Sequence, residues 1–295
     1  MQIIFGSPTV LETTSAEPIR PPDDNYADFG NRIRAGDLNG DGSIDVVAGA
    51  PDRRSNPTAG HLVYCQGTPE GPVGCQRLGV TADGGTSSLA IADVDGDGYE
   101  DIVQGDGVGE RDDGGEVRLW LGGKGGPVGR PIEIDQDTPS VHGRDEPGDE
   151  FGKVVDVGDT DPDGYADMLI GAPGENDGEG AVTLVRGGKR GHARAGGAPW
   201  DKDQPDVPGR SAPNDHFGSA LGLLQLTDDD RLDLVVISGG ARRLGGVVTV
   251  IRGTRGAFAP SEALASPIER LADQVEPAGI ESLRIGRPGR QPSPH

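Results

Sequence analysis

The sequence predicts an all-β fold: a β-propeller of four-stranded antiparallel blades, with four full units and partial blade strands at the two ends. Three observations carry this. An acidic nine-residue stretch recurs as DLNGDGSID at Asp37–Asp45, DVDGDGYED at Asp93–Asp101 and DTDPDGYAD at Asp159–Asp167, with an eroded fourth copy, QLTDDDRLD, at Gln225–Asp233. The copies start 56, 66 and 66 residues apart, and Phe-Gly stands eight residues before three of them, at Phe29–Gly30, Phe151–Gly152 and Phe217–Gly218. Each copy runs into a short apolar segment (DVVAGAP, DIVQGDG, DMLIGAP, DLVVISG), and a further apolar run follows about fifteen residues beyond. Landmarks that agree at one register define a repeat protein.

Each unit is expected to hold a strand, the acidic loop, a second strand, a variable loop, a third strand, a Gly-rich turn and a weaker fourth strand such as Arg130–Ile134. In EVRLWLGG the alternation puts Val117, Leu119 and Leu121 on one face and Arg118 and Trp120 on the other. A single four-stranded unit cannot bury both its faces, whereas units arranged radially cover one another. The units run approximately over 29–82, 83–145, 146–212 and 213–265. Residues 1–28 and 266–295 supply a partial terminal blade, because MQIIFGSP matches a third strand and IESLRIGRPG a first. Together they complete a fifth blade, or the chain is part of a longer propeller. One helix is expected late, with a capped start at Ser266-Pro267-Ile268-Glu269 and Ile268, Leu271, Ala272 and Val275 on one face.

Composition narrows the partners. Aromatic residues are 4% of the chain, so the core must come from Val, Ile, Leu and Ala; the 51 glycines and 24 prolines lie between apolar runs and mark dense turns. The net charge of −22 argues against nucleic acid or insertion at an anionic membrane and favours divalent cations or basic surfaces. No apolar run is long enough to span a bilayer. The start, MQIIFGSPTV, lacks the basic and apolar regions of a signal peptide and reads as a chain entered partway through a domain. Cys65 and Cys75 flank a Gly/Pro-rich turn, as in a hairpin. A disulfide there would stabilise the fold by roughly 2–3 kcal/mol and would place the protein outside the cytoplasm; the alternative is two unpaired thiols.

The acidic loops offer oxygen atoms at alternate positions, the pattern calcium requires. The predicted ligands are Asp37, Asn39, Asp41, the Ser43 carbonyl and Asp45; Asp93, Asp95, Asp97, the Tyr99 carbonyl and Asp101; and Asp159, Asp161, Asp163, the Tyr165 carbonyl and Asp167. An EF-hand would need a glutamate at position 12, where Ala48, Gln104 and Ile170 stand, and it would need flanking helices. EF-hand and dockerin readings are therefore excluded. Acidic turns without metal are the alternative, opposed by the mutual repulsion of so many carboxylates. The fourth loop, with Gln225, Thr227 and Asp230 at key positions, is expected to stay without calcium.

Phe-Gly, the acidic loop and then Gly49-Ala50-Pro51 or Gly171-Ala172-Pro173 resemble the FG-GAP repeat of integrin α-subunit N-terminal β-propellers and of many bacterial extracellular proteins. The resemblance covers roughly Phe29 to Thr254. The second unit departs from it at Gly85-Thr86 and Gly105-Asp106-Gly107, and the fourth at Ile237-Ser238-Gly239. It implies a propeller, seven-bladed in most members, with calcium on one face.

The predicted function is a calcium-stabilised extracellular adhesion module that presents loops to a protein or carbohydrate ligand. The loops after each second strand and between units vary while the framework stays constant, as binding loops do. Arg53, Arg54, Trp200, Arg242 and Arg243 are the candidate contacts on that face. The alternatives are a propeller-type polysaccharide lyase or hydrolase, or a non-catalytic accessory domain of a larger enzyme. His61, His142, His192, His216 and His295 show no metal spacing, His216 being a weak catalytic candidate, and there is no G-x-S-x-G or HExxH motif.

Overall fold

The computed structural model describes residues 5–6, 11–12, 19–20, 29–51, 60–69, 71–78, 86–107, 114–127, 129–139, 141–192, 199–204, 207–239, 246–255 and 257–267. Two short strands, β1 (Phe5–Gly6) and β2 (Leu11–Glu12), pair with each other. Four antiparallel sheets follow. The first is β3 (Ile33–Gly36), β4 (Asp45–Pro51), β5 (Gly60–Gln66) and β6 (Val73–Leu78); the second is β7 (Ser88–Ala92), β8 (Asp101–Asp106), β9 (Glu116–Trp120) and β10 (Ile132–Ile134). The third is β11 (Val154–Gly158), β12 (Asp167–Ala172) and β13 (Ala181–Val185); the fourth is β14 (Phe217–Leu224), β15 (Asp233–Ser238), β16 (Val247–Thr254) and β17 (Ala257–Pro267). Neighbours in sequence are neighbours in every sheet, the order a blade requires.

The sheets stack face to face. β8 and β12 are buried along their whole length, which a central strand covered on both faces demands. Leu62, Tyr64, Ile102 and Trp120 pack between the first and second sheets. Val117, Leu119, Phe151 and Met168 pack between the second and third, and Leu169, Leu184, Phe217 and Leu234 between the third and fourth. The two faces of β9 thus enter different cores, as its alternation predicts. The first strands β3, β7, β11 and β14 adjoin in succession and line a shared cavity of about 650 Å³ that includes Arg32, Ser88, Val155 and Leu221. Blades around an axis have this arrangement; among the described residues no sheet joins the two ends of the chain.

The glycines explain the spacing of the repeat. Within a unit, the Gly30 N–H donates to the Gly49 carbonyl (2.8 Å) and the Gly152 N–H to the Gly171 carbonyl (3.1 Å). Between units the contact is closer still. A Cβ on Gly105 would lie 2.1 Å from the Gly152 carbonyl oxygen, and one on Gly171 would lie 2.4 Å from that of Gly218. Phe151 and Phe217 are fully buried beside these contacts. The second unit, which has no Phe-Gly, makes a similar bond one residue later, from the Ser87 N–H to the Gly105 carbonyl (2.8 Å). Its Asp106, standing where the first and third units have alanine, is buried against Arg118 at 3.4 Å.

Two elements differ from expectation. Among the described residues the third sheet has three strands, and its outer edge carries one bridge, Val182 to Trp200, made by two backbone hydrogen bonds of 2.9 and 2.7 Å. Pro199 has no N–H to extend the pairing. Ser266 and Pro267 end β17, opposite Val248 and Val247, and do not begin a helix. The unpaired edge of β16 outweighs a local capping signal; the remainder of that expected helix and the segment IESLRIGRPG lie outside the described residues. A disulfide joins Cys65 and Cys75 (S–S 2.03 Å) across the β5–β6 hairpin.

Gly105→Ala should destabilise the fold by about 1–3 kcal/mol through overpacking. Gly125→Ala, with nothing within 4 Å of the added carbon, should be close to neutral. Urea unfolding of the two variants checks this.

Candidate metal centres

The first aspartate of each of the first three loops folds the chain around itself. Asp37 accepts the N–H groups of Asp41 (3.1 Å) and Gly42 (2.9 Å), Asp93 those of Asp97 (3.2 Å) and Gly98 (2.9 Å), and Asp159 those of Asp163 (3.1 Å) and Gly164 (3.0 Å). The sixth position turns through φ of +83°, +92° and +89°, open to glycine at little cost. Ser43, Tyr99 and Tyr165 then donate their N–H groups to Asp41, Asp97 and Asp163.

The ninth aspartate has a role that the sequence reading missed. Asp45, Asp101, Asp167 and Asp233 are at most 1% exposed. One oxygen of each accepts the N–H of the second loop position: Leu38 (3.1 Å), Val94 (2.8 Å), Thr160 (3.3 Å) and Leu226 (3.2 Å). The other accepts the N–H of a hairpin glycine: Gly67 (2.6 Å), Gly122 (2.7 Å), Gly187 (3.0 Å) and Gly253 (2.9 Å). The carboxylate clamps the acidic loop to the Gly-rich turn in all four units, the eroded one included. The signal was visible, since aspartate and glycine both recur at these positions.

Adjacent loops also interlock. Gly123 N–H donates to the Leu38 carbonyl (3.0 Å), and Gly188 N–H to that of Val94 (2.9 Å). The rings of Tyr99 and Tyr165 cover Gly40 and Gly96 of the preceding loops, 2.7 and 2.6 Å from where a Cβ would stand.

Among the described residues, carboxylate oxygens converge at two places: Asp93, Asp95 and Asp101 in the second loop, and Asp159, Asp161 and Asp163 in the third, each set within 4.8 Å. Asp95 Oδ1 and Asp161 Oδ1 are buried without a hydrogen-bond partner. Burial, then the Asp95 and Asp93 charges, pushes the Asp101 carboxyl up to about 7. Burial likewise raises Asp45, Asp95, Asp161 and Asp167. In the second loop converging oxygens, an orphaned acceptor and suppressed ionisation together fit a hard divalent cation; in the third, the Arg186 guanidinium already pairs with Asp161 and opposes the effect of burial on it. In the first loop Asn39 replaces an acid and its amide donates to Asp41 (3.0 Å). In the fourth, the Gln225 amide donates to Asp230 (3.2 Å).

At the other end of the sheets, the segments before Phe151 and Phe217 flank the turn after β12. They enclose a cavity of about 610 Å³ lined by Glu146, Asp149, Glu150, Asp177, Asn214 and His216. Asn214 N–H donates to the Asp177 carbonyl (3.2 Å), His216 N–H to that of Gly178 (2.8 Å), and His216 Nδ1 lies 3.0 Å from the Pro173 carbonyl oxygen. Trp200 is half-buried with its ring edge-on to Phe258, centroids 5.4 Å apart, so it packs against the fourth sheet. Arg53, Arg54, Arg242 and Arg243 lie outside the described residues.

Burial, with the Glu175 carboxylate beside it, pushes the Asp149 carboxyl up to about 7 from 3.8. Between those values the folded chain holds a proton that the unfolded chain has lost, so stability falls as pH rises and levels off above about 7. Asp149→Asn should therefore melt a few degrees higher than the parent at pH 8, with the difference closing as pH is lowered. Melting curves across that range check it.

The FG-GAP repeat family matches residues 151–185. Integrin alpha pat-2 of Caenorhabditis elegans is 34% identical over 177 residues, 55% of this chain and 14% of that protein. Human integrin alpha-IIb is 31% identical over 164 residues, 50% of this chain and 15% of that protein. Integrin alpha-5 of Xenopus laevis is 30% identical over 200 residues, 63% of this chain and 18% of that protein. The chain thus spans less than a fifth of the length of these relatives. The matched segment runs from the buried Phe151 through the third acidic loop to the end of β13, one unit of a pattern repeated in register on either side. The chain carries an FG-GAP, integrin alpha-like domain.

Proposed function

We propose that this chain is a calcium-stabilised extracellular adhesion module that engages a protein ligand at the end of the sheets opposite its acidic loops. The observation that carries the reading is the separation of two ends. Carboxylates gather at the strand 1–2 turns, while the inter-unit segments and the strand 2–3 turn of the third unit enclose the cavity at Glu146–Glu150, Asp177 and His216. Asp37, Asn39, Asp41, Ser43 and Asp45 would hold one ion, and Asp93, Asp95, Asp97, Tyr99 and Asp101 another. Calcium there neutralises charges that burial otherwise disfavours and fixes the turns. The disulfide supports an oxidising compartment. No helix among the described residues is long and apolar enough to cross a membrane.

Acidic side chains line the cavity, which suits a basic group on a protein ligand better than an anionic sugar. A carbohydrate ligand and a polysaccharide-degrading activity remain the alternative outcomes of the test. The chain should retain peptides from an immobilised library with exposed Arg or Lys, and Glu146→Gln with Asp177→Asn should weaken that retention tenfold or more. Equal retention by the variant overturns the assignment of this face. Product release from a polysaccharide panel would instead make the chain an enzyme.

An ion present at a hundred times its dissociation constant stabilises a fold by about 2.7 kcal/mol. Chelator should therefore lower the parent's melting temperature by several degrees. Asp95→Asn should melt lower in calcium and respond less to chelator. Identical melting with and without chelator would rule calcium out as the staple.

A further inference from the structure

We infer that Arg186 supplies the third acidic loop with its own cation, so that this loop, unlike the first two, takes up no calcium while the guanidinium is in place. The inference rests on the reading of the acidic loops as calcium sites. Arg186 Nη1 pairs with Asp161 Oδ2 and lies 3.7 Å from Asp167 Oδ2. Its side chain is 24% exposed and that of Asp167 1%, so the positive charge sits inside the loop and not in solvent beside it. It reaches two of the four carboxylates that the third loop offers an ion, Asp161 and the ninth-position Asp167.

The register of the repeat shows what this position does elsewhere. Arg186 immediately precedes the clamped hairpin glycine Gly187, and the matching residues are Gln66, Leu121 and Arg252. Gln66 is exposed and donates a neutral amide to Asp41 Oδ2 at 3.2 Å. Leu121 has no polar atom and packs against the core between the second and third sheets. Neither brings a charge to its loop. In the fourth unit Arg252 occupies the position and Arg231 lies 3.9 Å from Asp229, so a loop that has lost two acids has also gained arginine.

A guanidinium tethered to β13 is present at every calcium concentration. An entering divalent ion would meet a like charge a few ångströms away and would have to expel it from partly buried partners. The residue before the hairpin glycine thereby determines which loops are filled from solution.

Equilibrium dialysis against calcium counts the tightly bound ions. The parent should bind two, Arg186→Leu three, and Gln66→Arg, which places the same group over the first loop, one. A parent that already binds three, or an Arg186→Leu protein that gains none, overturns the inference while leaving the calcium reading intact. Absence of bound calcium in every protein overturns both. Should Arg186→Leu fail to fold, the exposed-site variant Gln66→Arg decides alone, and retention of the parent's count overturns the inference.

Discussion

Every unit depends on one buried carboxylate that holds two turns together. Asp45, Asp101, Asp167 and Asp233 are withdrawn from water, at a desolvation cost that only good hydrogen bonds offset. Each receives two backbone N–H groups, one from its own loop and one from the hairpin glycine across the sheet. Losing the side chain would leave both donors buried and unpaired, which is costlier than the net worth of either bond. This is why the fourth unit, stripped of acids at its first and third positions, keeps Asp233. The clamp is required by the fold whether or not a cation is held above it.

The units are coupled by contacts too close to admit side chains. The Gly152 carbonyl presses on Gly105, and the Gly218 carbonyl on Gly171, so backbone meets backbone where the sheets stack. At the acidic end the coupling is by polar and aromatic contact, through Gly123 on Leu38 and Tyr99 over Gly40. The Tyr99 backbone belongs to the second loop while its ring belongs to the first. A change in one loop's geometry therefore reaches its neighbour through a single residue.

Much of this was legible because the determinants are local. Aspartates at alternate positions, a glycine at the sixth and an apolar run after the ninth lie within some fifteen residues, so the sequence displays them without knowledge of the fold. The repeat then supplied the register. What stayed hidden depends on partners across strands. Asp106 reads as damage to a Gly-Ala-Pro motif until β9 brings Arg118 to it. Trp200 reads as a free aromatic in a loop until its backbone is found bridged to Val182 of β13 and Phe258 is found against the ring. Ser266-Pro267 carries a sound helix-start signal, yet the open edge of β16 captures it as strand. In each case a long-range neighbour overrides a local preference.

The acidic loops share a demand for positive charge more than a demand for one element. Three to five carboxylates in nine residues, one of them sealed by the clamp, cannot all ionise without a counter-charge. On the proposed reading the first two loops recruit it from solution, whereas the third has it in the chain at Arg186. The two solutions have different consequences. A loop filled by calcium ties stability to the surroundings, and one filled by arginine does not. The blade that bears Arg186 also contributes the turn between β12 and β13, which walls the cavity at Asp177. Holding that blade with an internal cation keeps the wall of the candidate binding site in place where calcium is scarce, while the blades further from it respond.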